Sequence, residues 1–226
     1  YPPNAYRNGP LYPSYTATAM KSLFELADRT QVNLIGMLTW AFEFEGKPYF
    51  DGYRTLATNG VDKPVLNFFR MAGLMRGNRV MAISSGAVSL DSILAHGVRQ
   101  APDIDALATS ATGEASVLLW NYHDDDVTAP GVSIVVSMKS IPSSVHRLLL
   151  QHYRIDDHHS NAYTVWKEMG SPQNPTPEQY AKLQAAGQLQ MLDSPRWITP
   201  ENGEVKLDVQ LPRMGLSLLR VTWPAN

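Results

Sequence analysis

Residues 32–45 read VNLIGMLTWAFEFE, and how this stretch is read decides the fold. Val32, Leu34, Ile35, Met37 and Leu38 form a nearly continuous apolar run with Gly36 inside it. A short run that is apolar on both faces is the pattern of a buried strand in a parallel sheet. The run ends at Thr39 and Trp40 and passes into Ala41, Phe42, Glu43, Phe44 and Glu45. An aromatic ring and two carboxylates at the C-terminal end of such a strand stand where α/β enzymes place their chemistry. A core strand running into a solvated acidic loop fits the same letters, and both readings stay open at this point.

Upstream, Pro13 and Ser14 open a helix expected over residues 15–29, with Ser14 as its N-cap. Its apolar stripe is Tyr15, Ala19, Met20, Leu23, Phe24 and Ala27. Downstream, residues 45–48 (EGKP) make a turn, and an aromatic, glycine-containing loop runs to Asn59-Gly60. A second helix starts near Pro64, with Val65, Phe68, Phe69, Ala72 and Met75 on one face and Gly77 as its stop. Helix, strand, loop and helix make one and a half units of a (β/α) fold. One strand cannot make a sheet, so the remaining strands are expected from elsewhere.

After Gly77 the period changes. Val80, Ala82 and Ser84 suggest a short strand, and residues 105–110 and 115–122 flank Thr112-Gly113 as a hairpin. Residues 132–138 (VSIVVSM), 145–155, 204–211 and 216–223 read as further strands. Together they predict an antiparallel β-sandwich. It is interrupted by a short helix over residues 161–169 and by a second from Pro177 to about Ala186, which Thr176-Pro177-Glu178-Gln179 opens as a capping box.

The totals narrow the function. The 226 residues carry a net charge of -2 with no basic block, so no footprint for nucleic acid is present. No apolar run approaches the roughly 18 residues of a spanning helix. The absence of cysteine excludes disulfides, thiol nucleophiles and cysteine metal sites, and leaves the compartment open. Residues 1–12 (YPPNAYRNGPLY) have neither an initiating Met nor a charged leader, and read as a loop cut from a longer protein.

Asp156-Asp157-His158-His159 contains metal-ligand types, but adjacent residues on an extended chain point to opposite faces, so a polar turn capping the next helix is expected. His123-Asp124-Asp125-Asp126 lacks calcium-loop spacing and reads as a solvated turn. No Gly-x-Ser-x-Gly and no phosphate-cradling glycine loop occurs. No cofactor and no metal are expected. Trp40, Phe42, Phe44, Tyr49, Phe50 and Tyr53, set among carboxylates, suit a sugar, whose C–H face stacks on an aromatic ring while its hydroxyls donate to carboxylates. About half of these rings are assigned to core.

Residues 38–75 (LTWAFEFEGKPYFDGYRTLATNGVDKPVLNFFRMAGLM) resemble the last strand, loop and helix of the catalytic barrel of glycoside hydrolase family 39. Residues 154–189 (RIDDHHSNAYTVWKEMGSPQNPTPEQYAKLQAAGQL) resemble the helical insert of the C-terminal sandwich in the same family, which includes bacterial β-xylosidases and α-L-iduronidases. The resemblance implies a C-terminal end of a TIM (β/α)8 barrel over residues 1–77, followed by an accessory antiparallel β-sandwich with a short helical insert over residues 78–226. It implies a retaining mechanism with two glutamates, whose carboxyls such enzymes hold about 5 Å apart. Neither family motif, Trp-Asn-Glu-Pro or Thr-Glu-Trp in type, surrounds any glutamate of this chain. Both catalytic residues are therefore expected in a preceding barrel portion, the implied protein partner, and this chain alone is expected to be inactive.

By the same resemblance Trp40 matches the tryptophan that walls the glycone subsite, Glu43 and Glu45 are the candidates for binding sugar hydroxyls, and Arg54 is a fourth candidate. The implied substrate is a xyloside or xylo-oligosaccharide. A non-catalytic carbohydrate-binding sandwich and a scaffold fragment are the rival readings. The binding module would not need residues 13–77, and in the scaffold reading that barrel piece merely docks on a partner.

Overall fold

The computed structural model describes residues 4–224. Residues 1–3 of the expected N-terminal loop lie outside the described residues. After a 3-10 turn at Ala5–Arg7 come helix α1 (Leu11–Thr30), the short strands β1 (Ala57–Thr58) and β2 (Val61–Asp62), and helix α2 (Pro64–Leu74). Then follow β3 (Asn78–Val80), α3 (Leu90–His96), β4 (Asp103–Ala111), β5 (Glu114–Tyr122), β6 (Val132–Met138) and β7 (Leu148–Ile155). The helical insert is α4 (Ala162–Glu168) and α5 (Pro177–Gly187), and β8 (Gln190–Met191), β9 (Arg196–Ile198), β10 (Val205–Leu211) and β11 (Leu216–Thr222) complete the chain.

A seven-stranded antiparallel sheet runs in the order β3-β4-β5-β11-β7-β8, with β9 pairing beside β8 on the same edge of β7. The last strand is central. Leu218 of β11 lies opposite Leu118 of β5 and Tyr153 of β7. Side chains alternate across the sheet, so each face has its own core. Leu107, Leu118, Trp120, Ile155, Leu216 and Leu218 face α1 and α2. Ala106, Leu119, Leu148, Leu150, Leu219 and Val221 face the antiparallel pair β6–β10, whose inner residues Val136, Met138, Val205, Leu207, Val209 and Leu211 are all buried. The result is a sandwich of unequal sheets with helices on the outer face of the larger one. The alternation of β10, buried at every second residue, is the pattern visible in its sequence.

Four expectations are corrected. Residues 32–40, expected as a buried strand, form neither strand nor helix, and Ile35 and Leu38 are 95% and 101% exposed. A strand of this kind is stabilised by its neighbours, and no described strand pairs with it. Helix α1 begins at Leu11, not Tyr15, because Pro13 falls in the first turn, where a missing N–H costs nothing. The Ser14 hydroxyl turns back onto the carbonyls of Pro10 and Leu11 instead of capping. The buried face of α1 is also rotated from the expected stripe. Leu11, Ser14, Ala17 and Thr18 are buried while Tyr15 and Leu23 are exposed, because small residues let the helix approach the sheet. The contact includes buried polar groups: Asp103 accepts from Thr18 and from the Trp120 indole, and Asp105 pairs with Lys21. Burial raises the Asp105 carboxyl, against the nearby Lys21 ammonium and a backbone hydrogen bond from Ala106.

The change of period at Gly77 is a close approach of backbones. Gly77 has φ +86°, and a Cβ there would stand 2.1 Å from the Ser110 carbonyl oxygen. Helix α3 escaped the sequence reading because seven residues carry too little period. The insert folded as read: Thr176 and Gln179 form the reciprocal capping box.

Candidate functional site

The exposed run 32–40 leads directly into a loop that is tied down along its length. The Phe42 carbonyl accepts from the N–H groups of both Leu56 and Ala57, at 2.9 Å each. Glu43 Oε2 accepts from the Gly60 N–H at 2.8 Å, and Asn59 Nδ2 donates to the Lys47 carbonyl at 3.0 Å. Phe50 anchors the centre. Its ring is fully buried against Tyr163 and Trp166 of α4, with centroids 5.3 and 5.0 Å away. Its N–H donates to Thr58 Oγ1 and its carbonyl accepts from Asn8 Nδ2. The helical insert adds further ties: Tyr49 N–H donates to Gln173, Tyr180 donates its hydroxyl to the Asn59 carbonyl, and Asn67 of α2 donates to the carbonyls of Ser160 and Gly187. The family-like insert therefore clamps the loop that carries the candidate sugar groups.

The structure sorts the four candidate residues. It brings Trp40 and Arg54 together, with the guanidinium carbon 5.7 Å from the ring centroid and the ring 61% exposed. It commits Glu43 to its own loop through Gly60. Glu45 is exposed, and among the described residues no hydrogen bond or ion pair engages its carboxylate. Of the loop aromatics, Phe50 is core while Trp40, Phe42 and Tyr53 are exposed, and Phe44 meets Tyr53 edge-on at 5.3 Å.

Two residues absent from the sequence reading belong to this neighbourhood. Tyr12, at the start of α1, has its phenol raised by burial, opposed by Arg54 beside it, by a hydrogen bond with Thr39 and by Arg7. Nothing in its sequence setting marks it. Lys63 is fully buried beneath the loop, and its ammonium donates to the Tyr53 carbonyl at 2.8 Å. A lysine just before the Pro that opens a helix reads as a surface residue, so no local signal marked it either.

The two acidic runs are structural. Asp156 Oδ1 takes the N–H groups of His158 and His159, as expected of a polar turn, but the cap of α4 is Asn161. Asp124 is less solvated than expected: it accepts from the Val98 N–H, from Arg99 and from the Tyr122 hydroxyl. Among the described residues no group of three or more His, Asp or Glu is placed to hold a metal ion, and no helix is long and apolar enough to cross a membrane.

The loop thus offers an exposed indole face paired with a guanidinium, and further along an exposed carboxylate: a stacking surface, hydrogen-bond donors and an acceptor. The sequence places the chain more narrowly. The model for glycosyl hydrolases family 39 matches residues 2–205, and the chain belongs to that family. It is 29% identical over 168 residues to the α-L-iduronidase of Mus musculus, covering 70% of this chain and 25% of that protein. It is 24% identical over 164 residues to a β-xylosidase of Caldicellulosiruptor saccharolyticus, covering 73% and 30%. The fold is that of a family 39 enzyme from Xanthomonas axonopodis pv. citri, with a TM-score of 0.75 at 17% identity over 98% of this chain and 42% of that one. It is also that of a monomeric β-xylosidase from Caulobacter crescentus CB15, with a TM-score of 0.73 at 15% identity over 98% and 43%. The chain thus matches 25% to 30% of the length of these curated relatives.

Proposed function

We propose that this chain is the C-terminal portion of a retaining glycosidase, a β-xylosidase acting on xylosides and xylo-oligosaccharides. In this reading residues 1–77 finish a (β/α)8 barrel as its last strand and helices, and residues 78–226 form the accessory sandwich. Both catalytic glutamates come from the preceding barrel portion, and this chain supplies Trp40, Glu43, Glu45 and Arg54 to the sugar pocket. The observation that carries the proposal is the unpaired, exposed apolar run 32–40, which ends in Trp40 at the head of a clamped loop. Its letters are those of a barrel strand, and its exposure fits a sheet completed by other residues. Trp40 would stack on the sugar, Glu45 would accept its hydroxyls, and Glu43 would hold the loop that presents them.

In the complete enzyme, Trp40→Ala and Glu45→Ala should each raise KM for a nitrophenyl β-xyloside by roughly ten-fold, the loss of one good contact of ~1.4 kcal/mol. Glu43→Ala should also raise KM, through a loosened Gly60 tie. Steady-state kinetics decide it: unchanged KM in both glutamate variants removes this loop from the pocket. One observation favours a second reading. The Arg54 guanidinium beside Trp40 is the type of group that pairs with a carboxylate, as a uronic acid glycoside would offer. Turnover of an aryl iduronide in preference to the xyloside would select it.

The apolar run makes a separate prediction. Isolated, the 25.1 kDa chain should self-associate through residues 32–38, since unpartnered apolar stretches of this size do not stay in water. Ile35→Lys with Leu38→Lys should return it to the monomer in sedimentation velocity, and the same pair should destabilise the complete enzyme. A monomeric, cooperatively melting unmodified chain contradicts the barrel assignment.

A further inference from the structure

Lys63 is 0% exposed, in a position where an apolar side chain would fill the space at lower cost. It occupies the N-cap of α2, where its N–H donates to the Leu56 carbonyl, so its backbone is already joined to the pocket loop. The side chain returns to that loop. Nζ donates to the Tyr53 carbonyl at 2.8 Å and reaches Thr55 Oγ1 at 3.4 Å. The other end of Tyr53 is held by the opposite charge, since its N–H donates to Asp51 Oδ1 at 3.2 Å. Asp51 Oδ2 is buried with no hydrogen-bond partner. No described carboxylate lies within ion-pair distance of Lys63, so the ammonium is held by a carbonyl, a hydroxyl and the more distant Asp51 charge. The residue that follows this clamped unit is Arg54, whose guanidinium lies over Trp40.

We propose that Lys63 is a positioning residue of the sugar site: its buried ammonium, with Asp51, grips the Tyr53 backbone and so sets the direction in which Arg54 leaves the loop toward Trp40. The proposal rests on the reading of Trp40 and Arg54 as sugar-contacting groups. Two charges act on Lys63 from the elements packed around it: Asp51, which favours its proton, and Arg7 of the N-terminal 3-10 turn, which opposes it. Burial is the largest influence and brings the ammonium down to about 8. As pH rises through that value the charge on the grip is lost, and substrate binding weakens.

The test measures kcat and KM for whichever nitrophenyl xyloside or aryl iduronide the complete enzyme turns over, from about pH 6 to about pH 9. The wild type should show KM rising on the alkaline side. Lys63→Met should raise KM roughly ten-fold with kcat within about two-fold, and should abolish that alkaline rise. Asp51→Asn should move the rise to lower pH, because the charge that favours the Lys63 proton is gone. An unchanged KM in Lys63→Met, or an alkaline rise that survives in it, overturns the proposal. Should Lys63→Met not fold, Asp51→Asn decides alone, and a rise that stays at the wild-type pH is then the contrary result. Arg54→Gln separates this inference from the reading beneath it. If Arg54→Gln leaves KM unchanged, the sugar-site reading falls. If it raises KM while Lys63→Met does not, only the positioning role falls.

Discussion

Asp103→Ala should lower the unfolding free energy of the complete enzyme by about 3–5 kcal/mol, the range of changes that break a buried polar network. Asp103 is 1% exposed and accepts from two elements and a loop at once. Its Oδ2 takes the Thr18 hydroxyl of α1 at 3.0 Å and the Trp120 indole of β5 at 2.8 Å, and its Oδ1 takes the Val88 N–H at 2.9 Å. Alanine leaves the Thr18 hydroxyl and the Trp120 indole buried without a partner and the part-buried Val88 N–H without its acceptor, and each unmet buried group costs about 1–3 kcal/mol. Asp103→Asn keeps the shape but turns an amide N–H toward a donor, so its midpoint should fall between wild type and alanine. Thr18→Val removes one donor together with its need for a partner and should cost about 1 kcal/mol. Denaturant melts of the three variants check the order, and an Asp103→Ala midpoint at the wild-type value contradicts the network.

Phe50→Ala should cost a similar amount, about 3–5 kcal/mol, the usual penalty for removing a fully buried phenyl ring. The ring touches Tyr163 and Trp166, and those two stack on each other at 5.8 Å, so its loss opens the core that joins the loop to the insert. The consequence should reach the site. With Phe50 gone, residues 42–60 lose their central anchor, protease should cut there first, and KM should rise with Trp40 itself unaltered. Phe50→Leu, which refills part of the space, should recover about half of the stability. Equal protease resistance in Phe50→Ala and wild type would mean that the backbone ties at Gly60, Leu56 and Ala57 suffice without it.

The features legible in the sequence are those set by near neighbours. Strand β6 begins and ends at the residues its β-branched run suggests, and the β4–β5 hairpin closes at Gly113, which takes the positive φ of 76° that its turn requires. The capping box of α5 needs only residues three apart, and it formed as read. The family-like segments were readable for the same reason, since a motif is a local string. The candidate site was legible as a set of residue types, but not as an arrangement. Glu43 and Glu45 are equivalent in the string FEFE, and only the fold turns one onto Gly60 and leaves the other unengaged. Tyr12 and Lys63 lie 28 residues before and 23 after Trp40 in the sequence, so no spacing rule connects them to it.

By itself, then, the amino-acid sequence determined the main strands of the sandwich (β4, β5, β6, β7, β10 and β11), the two helices of the insert, the capping box of α5 and the membership in family 39. Tertiary structure decided which face of α1 is buried, that Lys63 and Asp103 lie in the interior, and that residues 32–40 remain unpaired. The physical reason is one of range. Dihedral preferences, capping and alternation act over a few residues, whereas burial and strand pairing depend on what other parts of the chain bring to the same place. The run 32–40 is the sharpest instance: its composition is that of a strand, and a strand exists only where another strand supplies the hydrogen bonds.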